Sequence, residues 1–180
     1  MEILRNEIKE KAASIIAGLG VKKLTIQSLA IELKISEEDL YNQLSGIDDV
    51  ILLLLNDFNK DFAIVIEELQ PYTEDSGLQF KFFFNKMYSL FLQKPYYLEL
   101  IFDDILSERG ERIRNSILNF KSAASKFLSS LIDKGKIDNT FKTKESTKDL
   151  ANKILDDFKL IMQDQQLYFN IMRDLKTIKS

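Results

Sequence analysis

The side chains of this chain that could do chemistry are concentrated between residues 25 and 50. Their apolar spacing predicts two short helices joined by a tight turn, which is the outline of a helix-turn-helix. The second of these helices presents hydroxyl, carboxylate and amide groups from Ser36 to Gln43. A motif of this kind makes and breaks no covalent bond; it places one helix in the major groove of DNA.

The charge of this stretch opposes that interpretation. From Ile35 to Val50 there is no Lys or Arg, against five acidic residues. Residues 1–50 carry six basic and nine acidic side chains, and residues 51–180 carry nineteen of each. Because affinity for duplex DNA comes largely from neutralising phosphates, each unpaired carboxylate near the backbone weakens binding. A second interpretation of Glu37, Glu38 and Asp39 is that they stabilise the start of a helix, by roughly 0.3–1 kcal/mol each.

Enzymatic chemistry has little support in the composition. The chain has no His and no Cys, which excludes His-based triads, thiolate nucleophiles, zinc sites and Glu-x-x-His di-iron sites. No constellation of Asp, Glu, Lys, Tyr or Ser indicates an active site. The acidic pairs Asp103–Asp104 and Asp156–Asp157 diverge by about 100° on a helix and so do not converge on one ion. We predict no enzyme, no catalytic residue, no metal site and no cofactor.

The elements that position these residues are all predicted to be helices. Apolar residues recur at three- and four-residue steps from Leu4 to Leu19, and Gly20 ends that helix. Thr25 and Ser36 are the predicted N-caps of the second and third helices. The remaining helices are predicted at Asp48–Gln70, Leu78–Gln93, Pro95–Leu106, Ile113–Asp133 (closed by Gly135), and Lys144–Lys176 as one helix or two with a break near Asp164–Gln166, with a loop at Lys136–Thr143.

The first 55 or so residues resemble the TetR (tetracycline-repressor-like) family of bacterial transcription regulators. The resemblance implies an all-α homodimer with a three-helix DNA-binding head at residues 1–47. Residues 48–180 would form a helical body that binds an effector and dimerises through its last two long helices. The residues that carry the resemblance are Ala13, Ile16 and Gly20, Leu24-Thr25-Ile26, Leu29-Ala30, Ile35-Ser36, Leu40-Tyr41-Asn42-Gln43-Leu44, Asp48 and Val50.

The resemblance also implies roles for individual residues. Thr25 and Tyr41 would contact phosphate, while side chains of the third helix would face the major groove, where Asn and Gln can pair with adenine and a carboxylate can accept from cytosine. The family usually has basic or small residues at the start of this helix and a Lys where this chain has Ile47. The predicted DNA-binding residues are Lys23, Thr25, Lys34, Ser36, Glu37, Glu38, Tyr41, Asn42 and Gln43.

The body of the chain is rich in aromatic residues. Three consecutive residues, Phe82–Phe84, cannot all point one way on a helix, so at least one must meet a second helix, a partner subunit or a ligand. One interpretation is an apolar site for a hydrophobic small molecule; the other is ordinary core. The predicted ligand-binding residues are Phe80, Phe83, Phe84, Tyr88, Tyr97, Phe102 and Phe120.

Two functions follow from these patterns. The first is a dimeric TetR-like regulator that binds double-stranded operator DNA and responds to a hydrophobic small molecule. The alternative is a protein of the same fold that has lost DNA binding and binds a hydrophobic ligand or a protein partner. The longest apolar run, Val50–Leu55, is far shorter than the roughly 18–20 residues of a membrane span. The N-terminus is too charged for a signal peptide, so we expect a cytoplasmic protein without a membrane partner.

Overall fold

The structure, a computed structural model, describes residues 2–72 and 75–176. Every regular element in these ranges is a helix or a single 3-10 turn, which confirms the predicted all-α class. The elements are α1 (Glu2–Leu19), a 3-10 turn (Val21–Lys23), α2 (Ile26–Leu33), α3 (Glu37–Tyr41), α4 (Ile47–Glu68), a 3-10 turn (Gln70–Tyr72), α5 (Ser76–Gln93), α6 (Tyr96–Phe102), α7 (Asp104–Glu108), α8 (Glu111–Ile137), α9 (Thr147–Asp156), α10 (Phe158–Gln163) and α11 (Gln165–Lys176).

The chain forms two compact units. The first unit consists of Met1–Asp61 with Gln93–Leu118, and the second consists of Phe62–Leu92 with Asn119–Ser180. The helices α4 and α8 therefore contribute residues to both units. The predicted functional division at residues 47 and 48 falls at the start of α4 and stays a prediction.

The core of the first unit is aliphatic. Apolar side chains at helical spacing on α1, α2, α3 and the first half of α4 are buried together with Tyr97 and its neighbours on α6. Full burial of one such side chain stabilises the fold by roughly 1.5–3 kcal/mol. The buried residues include Ile8, Ala12, Ile15, Ile16, Leu29, Ala30, Leu40, Val50, Leu54 and Phe58.

Aromatic rings dominate the core of the second unit. Phe83 and Phe84 on α5 are both buried, with their ring centroids 5.3 Å apart at an edge-to-face angle of 88°. Phe83 also contacts Phe127 of α8 at 5.0 Å, and Phe84 contacts Phe158 of α10 at 5.7 Å. Of the three alternatives stated for the Phe82–Phe84 run, these contacts show the first, a second helix, for both Phe83 and Phe84.

Gly135 does not end its helix, contrary to the prediction. The helix α8 continues to Ile137, and a Cβ at Gly135 would overlap the ring of Phe141. The backbone N–H of Phe141 donates to the carbonyl of Gly135 at 2.8 Å, so the returning chain lies directly on this helix face. Glycine is present here because of that close approach and not because of a helix cap.

Two predicted helices are divided by breaks that the apolar periodicity did not reveal. The helix predicted from Pro95 to Leu106 is interrupted at Asp103, whose carboxylate accepts from the backbone N–H of Ile105 at 2.9 Å and starts α7. The C-terminal segment has the predicted break at Asp164 and a second one at Asp157. At Asp103 and Asp164 the carboxylate accepts from the backbone N–H two residues later, which offers that N–H an alternative to a helical hydrogen bond. The Asp157 side chain makes no such bond.

Candidate nucleic-acid interface

A reciprocal cap fixes the start of α2. The backbone N–H of Ser28 donates to Thr25 Oγ1 at 3.0 Å, and the backbone N–H of Thr25 donates to Ser28 Oγ at 2.9 Å. The Ser28 hydroxyl also donates to the carbonyl of Lys23 at 2.7 Å. Two donors that a helix start leaves unsatisfied are thereby paired, and the exposed Thr25 is held at one defined position.

The turn between α2 and α3 is closed by Lys34 in the left-handed conformation, with φ 57° and ψ 40°. The N–H of Lys34 donates to the carbonyl of Ile31 at 3.2 Å, and the N–H of Ile35 donates to that of Ala30 at 3.1 Å. This pair of bonds is the Schellman arrangement that ends many helices. A non-glycine residue in this region carries a strain of roughly 1–2 kcal/mol, so the surrounding contacts hold the turn in place.

A second capping box starts α3. The backbone N–H of Asp39 donates to Ser36 Oγ at 3.0 Å, and the Ser36 hydroxyl donates to Asp39 Oδ2 at 2.6 Å. Leu40, on the inner side of α3, is completely buried, and Ala30 of α2 is buried as well. The inner side of α3 is thus anchored in the core while its polar side is free to meet another molecule.

All nine predicted DNA-binding residues are exposed. They lie on consecutive elements of the first unit, from the turn before α2 to the residues just after α3. Tyr41 is 57% exposed, so its hydroxyl is accessible to solvent. The exposed residues are Lys23, Thr25, Lys34, Ser36, Glu37, Glu38, Tyr41, Asn42 and Gln43. Their roles in binding stay predictions.

The structure reduces the charge conflict seen in the sequence. Arg109 Nε lies 2.7 Å from Asp48 Oδ1, and Arg112 Nη1 lies 3.6 Å from Asp49 Oδ1. Two of the five acidic residues between Ile35 and Val50 are therefore compensated. These arginines were missed at the sequence level because they follow their partners by about 60 positions, and no local pattern links them.

The negative charge that remains near α3 belongs to its first turn. Asp39 is engaged in the cap of Ser36, whereas Glu37 and Glu38 are exposed and form no ion pair within residues 2–72 and 75–176. These two carboxylates would be the ones to face phosphate or base edges without a cation beside them.

Solved structures with a similar fold include bacterial transcription regulators. The ketosteroid transcriptional regulator KstR2 of Mycobacterium tuberculosis is similar over 97% of this chain and 95% of its own, with a TM-score of 0.81 and 15% identity. The TetR family regulator PfmR of Thermus thermophilus is similar over 87% and 84%, with a TM-score of 0.72 and 15% identity. The chain has the TetR fold.

A third solved structure of this fold is the fatty acid degradation regulator FadR of Bacillus halodurans. Its similarity covers 96% of this chain and 90% of that one, with a TM-score of 0.66 and 14% identity. No model of a protein family matches the chain, and no curated protein matches it. The TetR fold is thus recognised through three-dimensional structure at identities too low to carry residue roles across.

The predicted ligand-binding residues are distributed over both units of this TetR fold. Phe80, Phe83 and Phe84 lie together on one side of α5, and Phe120 contacts Phe62 edge-to-face at 5.0 Å in the same unit. Tyr88 is half-buried on α5. By contrast, Tyr97 and Phe102 belong to the first unit. A ligand-binding role for these seven residues stays a prediction.

Tyr97 has a polar role in the first unit that its aromatic context in the sequence did not indicate. Its buried hydroxyl donates to Asp61 Oδ2 at 2.6 Å, and Lys94 Nζ donates to the same oxygen at 2.6 Å. Burial, followed by the hydrogen bond to Asp61, raises the pKa of the Tyr97 phenol well above its ordinary value. The three groups form a closed network that joins α4 to the start of α6.

Two other kinds of site are missing from the described ranges. Among those residues, no three carboxylates converge in a way that could hold a metal ion. None of the helices described is both long enough and apolar enough to cross a membrane.

Proposed function

We propose that this chain is a DNA-binding transcription regulator of the TetR type that acts as a dimer in the cytoplasm. One observation carries the proposal: the polar side of Ser36–Gln43 is exposed on a helix-turn-helix whose turn and both helix starts are fixed by hydrogen bonds. Motifs of this geometry place the second helix in the major groove. The similarity to solved regulators of the same fold supports this assignment.

The exposed groups suggest how binding is divided. Lys23, Thr25, Lys34 and Tyr41 are suited to contact phosphate and so to fix orientation, because they flank the helix that would enter the groove. Asn42 and Gln43 carry amides that can pair bidentately with adenine, and a Glu carboxylate can accept from the amino group of cytosine. In a symmetric dimer, two copies of α3 would read half-sites about 34–36 Å apart.

The dimer is proposed to form through α8 and the helices that follow it. Leu160 on α10 is 54% exposed and Phe169 on α11 is 59% exposed, although large apolar side chains are usually covered. Homodimers bury such residues at a symmetric, self-complementary interface. A second chain would therefore cover apolar surface that the single chain leaves in water.

The effector is proposed to be a hydrophobic small molecule bound in the second unit. The rings of α5 are in direct contact with Phe127, Phe141, Phe158 and Tyr168, and a nearby cavity lined by Leu150, Ile154 and Ile171 measures only about 30 Å³. An effector would thus have to displace rings from one another. Two regulators of this fold are described by apolar chemistry, a ketosteroid regulator and a fatty acid degradation regulator, which supports an effector of that class.

The proposal is tested by replacing Lys34 with Gly and measuring fluorescence anisotropy with duplexes from the chain's own promoter region. Glycine relieves the left-handed strain, so the free energy of unfolding should rise by up to about 1 kcal/mol. The lost phosphate contact should weaken binding and make the slope of log affinity against log salt shallower, by roughly 0.9 per contact. At saturation, two chains should bind each operator.

The matched control is Asn139→Gly, which changes a residue with a similar φ of 63° in the second unit. It should relieve backbone strain without changing DNA affinity. If the wild-type chain does not bind promoter DNA at low salt, or if Lys34→Gly binds with an unchanged salt slope, the proposal fails.

A second candidate function is favoured by one observation. Glu37 and Glu38 are exposed and pair with no cation among the residues that the structure describes, as they would on a TetR fold that has lost DNA binding and instead binds a hydrophobic ligand or a protein partner. The two candidates differ in what these carboxylates do to DNA affinity, and the salt dependence of DNA binding by wild type and by Glu37→Gln/Glu38→Gln distinguishes them.

A further inference from the structure

The first unit has a groove between α1 and α4 that shares only Gln43 with the proposed DNA-binding surface and no residue with the proposed effector site. It is open to solvent and has a volume of about 880 Å³, which is within the range of small-molecule sites. Its apolar part is formed by Leu4 of α1, by Leu44 and by Leu52 and Leu53 of α4. Each of these four leucines is only half-buried, so the groove leaves hydrocarbon in contact with water.

Positive charge surrounds this apolar part. Four cations line the groove, against two carboxylates, and both carboxylates are already paired within it. Lys9 Nζ lies 2.7 Å from Asp57 Oδ2, and Arg112 lies 3.6 Å from Asp49. The other two cations, Arg5 and Lys60, are exposed and form no ion pair within the described part of the chain.

This local excess of two positive charges runs against the charge of the unit that carries it. The first unit has 11 basic and 16 acidic side chains. Uncompensated cations beside half-buried leucines attract an anion and an apolar group at the same place, because Coulomb attraction and burial of hydrocarbon then act on one molecule. A neutral apolar ligand would use only the leucines, and a small inorganic anion would use only the cations.

We propose that the α1–α4 groove is a binding site for an amphipathic anion, a molecule with a hydrocarbon chain and a carboxylate or similar head group. The hydrocarbon chain of the ligand lies on Leu44, Leu52 and Leu53, and its head group contacts Arg5 and Lys60. The site is separate from the effector site proposed in the second unit. Binding of the anion to this groove can be measured in the absence of DNA.

The position of the groove gives such a ligand a consequence for DNA. Gln43, one of the predicted base-reading residues, also lines the groove. A ligand in contact with Gln43 competes with its base contact, so binding of the anion weakens DNA binding. This second step rests on the proposed function, whereas the first does not, and the experiment below is therefore done without DNA.

The probe is dodecanoate, below its micelle concentration, titrated into the full chain by calorimetry. Dodecyltrimethylammonium, which has the same hydrocarbon chain and the opposite charge, is the matched ligand control. The chain contains no Trp, so Leu53→Trp places a single fluorescent reporter in the groove. Leu92→Trp, at an exposed leucine of the second unit that no proposed interface or site includes, is the reporter control. Dodecanoate should blue-shift the emission of Trp at position 53 and leave that at position 92 unchanged.

The charge requirement is tested with the double variant Arg5→Gln/Lys60→Gln. It should weaken dodecanoate binding by about tenfold, since two ion pairs with the head group are lost. The control is Lys22→Gln/Lys148→Gln, which removes the same charge from exposed positions outside the groove and should change binding little. All four substituted side chains are exposed or on the groove rim, so folding is preserved and is verified by circular dichroism.

Several results would overturn the inference. Equal binding of the two surfactants would show that charge does not select the ligand, and a silent reporter at position 53 would place the site elsewhere. Equal affinities of the two double variants for dodecanoate would show that Arg5 and Lys60 do not contact the head group. A dimer that dissociates when Arg5 and Lys60 are replaced would show that a second copy of the chain covers the groove instead.

Discussion

Gly135 lies inside α8 with the ring of Phe141 at the position that a side chain would occupy. Phe141 is itself buried and packs edge-to-face on Phe80, with ring centroids 5.5 Å apart. Substitution Gly135→Ala should therefore move this ring and destabilise the protein by about 1–3 kcal/mol, the usual effect of overpacking a core. The measurement is urea unfolding monitored by circular dichroism.

The matched control for this substitution is Gly18→Ala. Gly18 is also helical, in α1, but a Cβ there meets nothing within 4 Å. Because Ala is the better helix former, the control should stabilise the protein by about 0.5–1 kcal/mol. Equal effects of the two substitutions would contradict the packing explanation for Gly135.

For individual residues, the sequence predicts the structural role well where the interaction partner is close along the chain. Both N-caps, Thr25 and Ser36, are in their predicted places because a cap bonds to a backbone group only three residues away. The helix-ending role predicted for Gly135 was wrong. Glycine is required there because the ring of Phe141, six positions later in the chain, packs on this face of the helix. Asp48 and Asp49 were taken as uncompensated because their arginine partners come from a distant segment.

Among the elements, the Tyr97 network links helices that no pattern in the sequence connects. Asp61 accepts from Tyr97 and from Lys94, so one carboxylate of α4 bonds both to α6 and to the residues preceding it. Removing the phenol hydroxyl with Tyr97→Phe should cost about 1–3 kcal/mol at neutral pH, since the half-buried carboxylate of Asp61 loses a hydrogen bond.

The pH dependence of this effect has a definite sign. Burial and Asp61 raise the pKa of Tyr97 in the folded state, so the folded protein holds this proton more tightly than the unfolded chain, whose tyrosines titrate near 10. The stability that Tyr97 contributes is complete below about pH 10 and is lost as pH rises above it. The difference between wild type and Tyr97→Phe should therefore shrink above pH 10 in urea unfolding measured from pH 8 to 11.

Tyr88→Phe is the control for the loss of a phenol, because Tyr88 is half-buried in the second unit and makes no hydrogen bond in the described part of the chain. It should change stability little at any of these pH values. If the difference in unfolding free energy between wild type and Tyr97→Phe stays constant across this pH range, the pKa of Tyr97 is not raised in the folded protein.

The helix boundaries show the same division between local and distant causes. The helix predicted at Leu78–Gln93 and the break predicted near Asp164–Gln166 are both present, with α5 starting two residues earlier, where Asp75 accepts from the backbone N–H of Leu78. The break at Asp103 was missed because Tyr96 through Leu106 keeps a continuous apolar spacing. Apolar periodicity reports which face is buried, but it does not report where a side chain replaces a backbone hydrogen bond.

For the whole molecule, the helix-turn-helix was predictable and the organisation around it was not. Ala30, Leu40 and the polar residues between Ser36 and Gln43 define the motif within one continuous stretch of chain. The two compact units each combine segments that are far apart in sequence. The groove between α1 and α4 is likewise lined by residues from separate helices. No single-sequence pattern specifies such long-range pairing.

The proposed role of the exposed polar side of α3 is to read DNA, and the most direct test of this role is the salt dependence of DNA affinity for wild type and Glu37→Gln/Glu38→Gln. Anisotropy is measured with promoter duplex and with a scrambled duplex of equal length. Wild type should prefer the promoter, and its affinity should fall as salt rises. The double variant should bind the scrambled duplex about tenfold more tightly, because two carboxylates no longer repel phosphate, and should discriminate less between the duplexes. No binding by wild type at low salt, or identical affinities of the two proteins for both duplexes, would contradict this role and favour a protein of the TetR fold that no longer binds DNA.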